Sequence, residues 1–258
     1  MRTAGVGVCI VALVWAVVAF AGEPEDAEPA RAGSAPEAAA VGAGADASRV
    51  AVYVPPSRGA VRTRAGGGTR GPGDAPALLV LAPEHAGVTN RAQPTLAFFL
   101  SKATDARVDL TVIAEDAVGP LLEATLAGPL AAGVHVVRLA DHGITLDEGR
   151  SYDWSVAVVL DASRRDLDVV AASSIRRDAA SPAVAEALAT GVPSYRVLAG
   201  NGIWYDAIAD LSDAIAAAPR DAALRVERAG LLDQVGLSAA AAFERGGTSH
   251  DVSAEPKP

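Results

Sequence analysis

Apolar and polar positions alternate most clearly between residues 77 and 176. Tyr152, Trp154, Val156, Val158 and Leu160 fall on one side of an extended chain, with Asp153, Ser155 and Ala157 on the other. That period of two marks a half-buried strand. Val108, Leu110 and Val112 alternate with Asp109 and Thr111 in the same way. Turn residues separate seven such stretches, predicted as strands near 78–82, 95–100, 108–114, 121–126, 134–139, 152–160 and 168–175. Beyond residue 177 the period becomes helical. Ser181-Pro182 reads as an N-cap followed by a first-turn proline, and Gly191 as a stop. Trp204, Ile208, Leu211 and Ile215 form one stripe of a helix predicted over 203–218 and ended by Pro219. Asp221 caps a further helix over 222–235, terminated by Gly236. The last residues, from 238 to 258, are expected to fray.

This order predicts a mainly β protein with C-terminal α structure. The regular strand spacing points to a β-sandwich of the fibronectin or immunoglobulin-like type. Leu146-Asp-Glu-Gly149-Arg-Ser-Tyr152 resembles the corner of such sandwiches, where a turn glycine precedes a Tyr whose hydroxyl bonds upstream backbone. Trp154 is then expected as the largest side chain between the sheets. Gly202, Ala207, Leu211, Ala214 and Pro219 match the spacing of the second helix of a tetratricopeptide unit. The match covers one helix pair, and Pro193 interrupts the helix that should precede it. A solenoid needs about three repeats to bury a continuous core. The expectation is therefore a tetratricopeptide-like helical hairpin packed on the sandwich.

The start of the chain has a different character. Arg2 precedes an apolar run from Val6 to Phe20, and Ala19-Phe20-Ala21 has the small-x-small form of a cleavage site. Residues 1–21 read as a secretory signal peptide, and the location as periplasmic or extracellular. Cleavage would remove Cys9 and Met1, the 1 Cys and 1 Met of the chain, and leave no thiol for catalysis or metal binding. Residues 22–48 are Ala, Gly, Pro and Glu with almost no large apolar side chain, which predicts a disordered linker. The remaining boundaries are expected at 49–178 for an arginine-bearing arm plus the sandwich, 179–237 for the helices, and 238–258 for a disordered tail.

Composition narrows the function classes. The 258 residues carry 22 Lys+Arg against 31 Asp+Glu, a formal net charge of -9. This excludes a general basic surface for nucleic acid. With 1 Cys the chain is not a disulfide-stapled scaffold. After signal cleavage no transmembrane segment is expected. Among the 4 His, no pair has a recognised metal-ligand spacing. Glu84-His85 and Asp141-His142 lie in predicted turns and form a candidate loop site for a cation or for acid–base work. Gly66-Gly67-Gly68-Thr69-Arg70-Gly71 lacks the Gly-Lys-Ser/Thr ending of a phosphate loop. Ion pairs within Arg164-Arg165-Asp166-Leu167-Asp168 are expected to fix a turn between strands. No catalytic, metal or cofactor residues are assigned, and Tyr53, Arg70, Trp204 and Tyr205 are the candidate contacts for a partner.

Several segments together resemble an uncharacterised bacterial family, domain of unknown function 928. They are YVPPSRG (Tyr53–Gly59), GGGTRG (Gly66–Gly71), LAPEH (Leu81–His85) and QPTLAFFLS (Gln93–Ser101), followed by LADHGITLDEGRSYDWSV (Leu139–Val156), RRDLDVVAASSIRR (Arg164–Arg177) and GIWYDAIADL (Gly202–Leu211). The resemblance implies an exported protein with an extended arm, a sandwich and a helical tail, and brings no catalytic residues with it. The resulting expectation is an exported, non-catalytic module that binds a protein partner in the cell envelope. The alternative is an envelope-polymer hydrolase or lyase using Glu84, His85, Asp141 and His142.

Overall fold

The structure, a computed structural model, describes residues 50–56 and 75–246, all within one compact unit. The predicted signal peptide, the linker over 22–48, the arginine loop with Arg70, and the end of the tail lie outside the described residues.

Among the described residues, eight strands form two sheets. The first contains β1 (Leu78–Val80), β3 (Thr95–Leu100) and β6 (Gly133–Arg138) in the order β1-β3-β6. The second runs β2-β8-β7-β4-β5, built from β2 (Gly87–Thr89), β4 (Arg107–Ala114), β5 (Leu122–Leu126), β7 (Ser151–Val159) and β8 (Val169–Arg177). Neighbours are antiparallel except β2, which pairs with β8 in parallel. Five helices follow: α1 (Pro182–Leu188), α2 (Ser194–Gly200), α3 (Trp204–Ala217), α4 (Ala222–Gln234) and α5 (Ser238–Glu244).

The alternating strands behave as their sequence requires. Val108, Leu110 and Val112 of β4 are buried with Tyr152, Trp154, Val156 and Val158 of β7. The register sets Val112 opposite Trp154 and Leu110 opposite Val156, so one face of the second sheet is a continuous apolar layer. The corner is also formed: the Asp147 N–H donates to the Tyr152 hydroxyl at 2.8 Å, and Gly149 turns with φ of 76°.

Three elements differ from expectation. β2 was not predicted, because three residues are too few for an alternation, and all three are buried. Pro193 does not interrupt a helix but begins one. Its carbonyl accepts from the Arg196 and Val197 N–H groups, so the missing proline N–H is one the first turn would leave unpaired anyway. The third difference is α5, which lies in the stretch expected to fray. Ala240 and Ala241 are fully buried, and Phe243 packs edge-on against Phe99 with ring centroids 5.3 Å apart. Behind them, Arg228 of α4 donates to Glu244 at 2.8 Å and to Ser212 of α3 at 3.0 Å, which ties three helices together. Alanine-rich sequence carries little hydrophobic signal on its own, and here the stabilisation comes from what it packs against.

The first turn of α3 joins the helices to both sheets. The Trp204 indole N–H donates to the Leu81 carbonyl at 2.8 Å. The Tyr205 hydroxyl accepts from the Trp154 indole at 2.8 Å and donates to the Ser174 carbonyl at 3.1 Å. Asp206 accepts from the Thr89 hydroxyl at 2.5 Å and from the Asn90 N–H at 2.9 Å. Gly87 makes room for this turn, since a Cβ there would lie 2.6 Å from the Tyr205 ring.

Two substitutions test this joint. Tyr205→Phe leaves the buried Trp154 N–H without its acceptor and is expected to destabilise the fold by about 1–3 kcal/mol. Gly87→Ala drives a methyl into the same ring and is expected to lower stability by a similar ~1–3 kcal/mol. Urea unfolding followed by circular dichroism measures both, and unchanged midpoints would refute the assignment.

Candidate functional site

Residues 50–56 form an extended strap laid across α2 and α4. Its main chain is read by side chains and helix ends rather than by a strand ladder. The Ala51 N–H donates to Glu227 Oε2 at 2.6 Å. Gln234 spans the two peptides that flank Val52: its Oε1 accepts from the Tyr53 N–H at 2.8 Å, and its Nε2 donates to the Ala51 carbonyl at 2.8 Å. The Val54 N–H reaches the Ala199 carbonyl, near the end of α2, at 3.1 Å. Arg196 of α2 pairs with the other oxygen of Glu227, which orients that carboxylate toward the strap.

Two glycines let the strap approach this closely. A Cβ on Gly230 would sit 2.1 Å from Val50 Cγ1, and one on Gly202 would sit 2.9 Å from the Val54 carbonyl oxygen and 3.2 Å from Pro56. Gly202 has a second reason to lack a side chain, a φ of 76°. Side chains of the strap alternate in the manner of extended chain. Ala51 and Tyr53 are buried, while Val50, Val52 and Val54 are exposed.

Tyr53 is the anchor. Its ring meets Trp204 edge-on, with centroids 4.9 Å apart, and its hydroxyl is 2.8 Å from His85 Nε2. Burial pushes the Tyr53 phenol well above its ordinary range, so it stays neutral. Burial also holds the His85 imidazole below its usual value. Beside the pair lies a cleft of about 280 Å³ lined by Pro55, Pro83, Glu84 and the end of α4.

The sequence candidates separate as follows. Tyr53, Trp204 and Tyr205, read as partner contacts, are interior side chains at 7%, 0% and 2% exposure. Their aromatic rings are held by Leu81, Trp154, Ser174 and His85 instead. Arg70 lies outside the described residues. Glu84 and His85 line the cleft. Asp141 and His142 end an exposed 3-10 turn after β6. β1 and β6 flank β3 on opposite sides, and the two histidine loops leave those strands. No described contact joins the pairs. His85 is engaged by Tyr53 rather than by a carboxylate.

Sequence reasoning missed the groove. Glu227, Gly230 and Gln234 are spaced along α4 and Gly202 lies in the turn between α2 and α3, and nothing in the sequence links them until the strap is in place. It also missed a polar trough of about 470 Å³ on the outer face of the second sheet. There Arg165 pairs with Asp168 at 2.7 Å and Arg107 with Asp109 at 3.0 Å, while Thr125 donates to Asp109 at 2.9 Å. The expected ion pair at the turn between β7 and β8 is thus present, and it forms one wall of this trough. Among the described residues, no cluster of three or more His, Cys, Asp or Glu is placed to hold a metal ion.

The His85 contact makes the strap pH-sensitive. A depressed imidazole pKa means that the unfolded chain binds the extra proton first as pH falls below the usual histidine value near 6.5. This contribution to stability is present above that pH and is lost as pH drops from there through the lower folded value. The expected result is that acidification from pH 7.5 to pH 5 destabilises the wild type more than His85→Gln, measured by urea unfolding at both pH values. Equal losses in the two proteins would refute it.

A family model described as Domain of Unknown Function (DUF928) matches residues 65–244. The match takes in both sheets, the five helices and the groove, begins after the strap, and places the chain in that family. No curated protein matches the chain.

Proposed function

We propose that this member of the Domain of Unknown Function 928 family is an exported, non-catalytic protein-interaction module of the cell envelope. One observation carries the reading: a groove across α2 and α4 holds an extended peptide segment by its main chain, with one aromatic pocket for specificity. Recognition of this kind combines backbone hydrogen bonds for affinity with a side-chain pocket for selection. Stacked helix pairs present such concave surfaces. In this reading α2–α3 and α4–α5 act as two tetratricopeptide-like hairpins, and the short α2 follows from the early proline. The two sheets act as a fibronectin-like sandwich that supports them, a reading favoured by the Tyr152 corner and by Trp154 at its centre. The signal-like leader favours an exported protein.

The histidine residues argue for support rather than chemistry. His85 is committed to Tyr53, and hydrolysis would need a second group presented to the same bond. Glu84 and His85 share the cleft, but no described contact brings Asp141 and His142 to them, so the binding reading is the better supported.

Affinity capture from envelope extract tests the reading. The wild-type chain is expected to retain a specific partner that a Glu227→Ala chain loses, while a chain altered in the trough at Arg107→Ala keeps it. Circular dichroism checks that the Glu227 variant is folded. Failure of the folded wild type to retain any partner, or equal retention by the Glu227 variant, would count against the module.

A further inference from the structure

The strap has the properties of a ligand tethered to its own receptor. It is joined to the body at one end through residues 57–74. The family match begins at residue 65, so the groove belongs to the matched domain and the strap precedes it. Every hydrogen bond described for its main chain goes to a helix carbonyl or to a side chain of α4. The groove is cut to the strap: at Gly202 a larger residue would collide with the Val54 carbonyl and with Pro56, and at Gly230 with the Val50 side chain. The selective positions are few. Ala51 is buried with its N–H bonded to Glu227 and its carbonyl to Gln234, Tyr53 fills the pocket under His85, and Pro56 lies over Gly202, while Val52 and Val54 face outward.

We infer that the α2–α4 groove is a recognition site for an extended partner segment of the pattern small–x–Tyr–x–x–Pro, and that residues 51–56 occupy it in cis as a competing strap. The partner is named by what the groove reads: a small side chain, a tyrosine two positions on, and a proline three positions after that. The strap sets a threshold, because a tethered competitor acts at an effective concentration of the order of millimolar. A partner segment enters when its higher affinity for the groove outweighs that local concentration, or when acid weakens the Tyr53–His85 contact. This inference rests on the interaction-module reading and supplies the chemistry of the partner.

The test uses the full chain with a protease recognition sequence inserted between Gly67 and Gly68. The protein is folded first and then cut, so the strap is held without a covalent tie. A fluorescein-labelled peptide of residues 49–56 is added and followed by fluorescence anisotropy. Uptake by the cut protein is expected, at least roughly 100-fold tighter than by the uncut chain. Unlabelled wild-type peptide should displace it, and the peptide carrying Tyr53→Ala should not. Gln234→Ala in the cut protein should weaken uptake by about tenfold or more. The inference is overturned if the cut protein takes up no peptide, whether because the strap never leaves or because the body unfolds without it. It is equally overturned if the Tyr53→Ala peptide competes as well as the wild type. The two readings fail separately. Peptide uptake without any envelope partner sinks the module and leaves the groove's specificity standing. A retained partner that the wild-type peptide cannot displace sinks the specificity and leaves the module standing.

Discussion

The fold depends on one helical turn. Trp204, Tyr205 and Asp206 are consecutive, so their side chains leave α3 about 100° apart and reach three separate places. Trp204 bonds the chain just after β1, Tyr205 bonds β7 and β8, and Asp206 bonds the end of β2 and the residue after it. Each polar end is satisfied within a buried site, where an unmade hydrogen bond would cost about 1–3 kcal/mol. Burial raises the Asp206 carboxyl above its ordinary value, and the Thr89 hydroxyl and Asn90 N–H offset only part of that. The turn therefore does more than add apolar area. It fixes where the helical layer sits on the sheets, and the hydrogen-bond geometry selects that position among others that hydrophobic packing would accept.

With α3 placed, the remaining helices have few choices. α2 and α4 pack on it, and Arg228 joins α3, α4 and α5 through Ser212 and Glu244. Burial lowers the Arg228 pKa while Glu244 opposes the shift. Such a buried pair contributes little net stability compared with apolar packing, but removing one partner is costly. Its value here is positional. It returns α5 to the first sheet, where Phe243 covers Phe99 and a Cβ on Gly133 would lie 3.2 Å from the Phe243 ring.

The legible parts of the sequence were those where one face meets solvent. β4 and β7 alternate because one side is core and the other is the polar trough, and the caps at Ser181 and Asp221 bond as their residue types imply. β3 was found but its environment was not. TLAFFL is apolar at nearly every position because the strand is covered on both faces, which alternation cannot reveal. β2 and α5 escaped because their stability comes from contacts distant in sequence. In the GIWYD segment, Trp204 belongs to the apolar stripe of the predicted helix, and Trp204 and Tyr205 are also candidate contacts for a partner. An uninterrupted Trp-Tyr pair at a helix start carries no mark that separates a binding face from a joint; only the partners Leu81, Trp154 and Thr89 make the distinction.

The groove was hidden for a related reason. Its specificity lies in the absence of side chains at Gly202 and Gly230 and in an amide at Gln234; the sequence pattern places the last two within a helix and gives no sign that any of the three meets another segment. A strand added to a sheet finds its hydrogen-bond partners in repeated backbone, so almost any sequence with the right alternation pairs. A strap read by one glutamine, one glutamate and one aromatic pocket is different. Each reader accepts at a single register, and a slip of one residue would place Val52 or Val54 in the site that Tyr53 fills while turning the clamped peptide away from Gln234. Register is thus set by side chains of the helices, and the same arrangement that holds the strap in place makes it distinguishable from other extended chain.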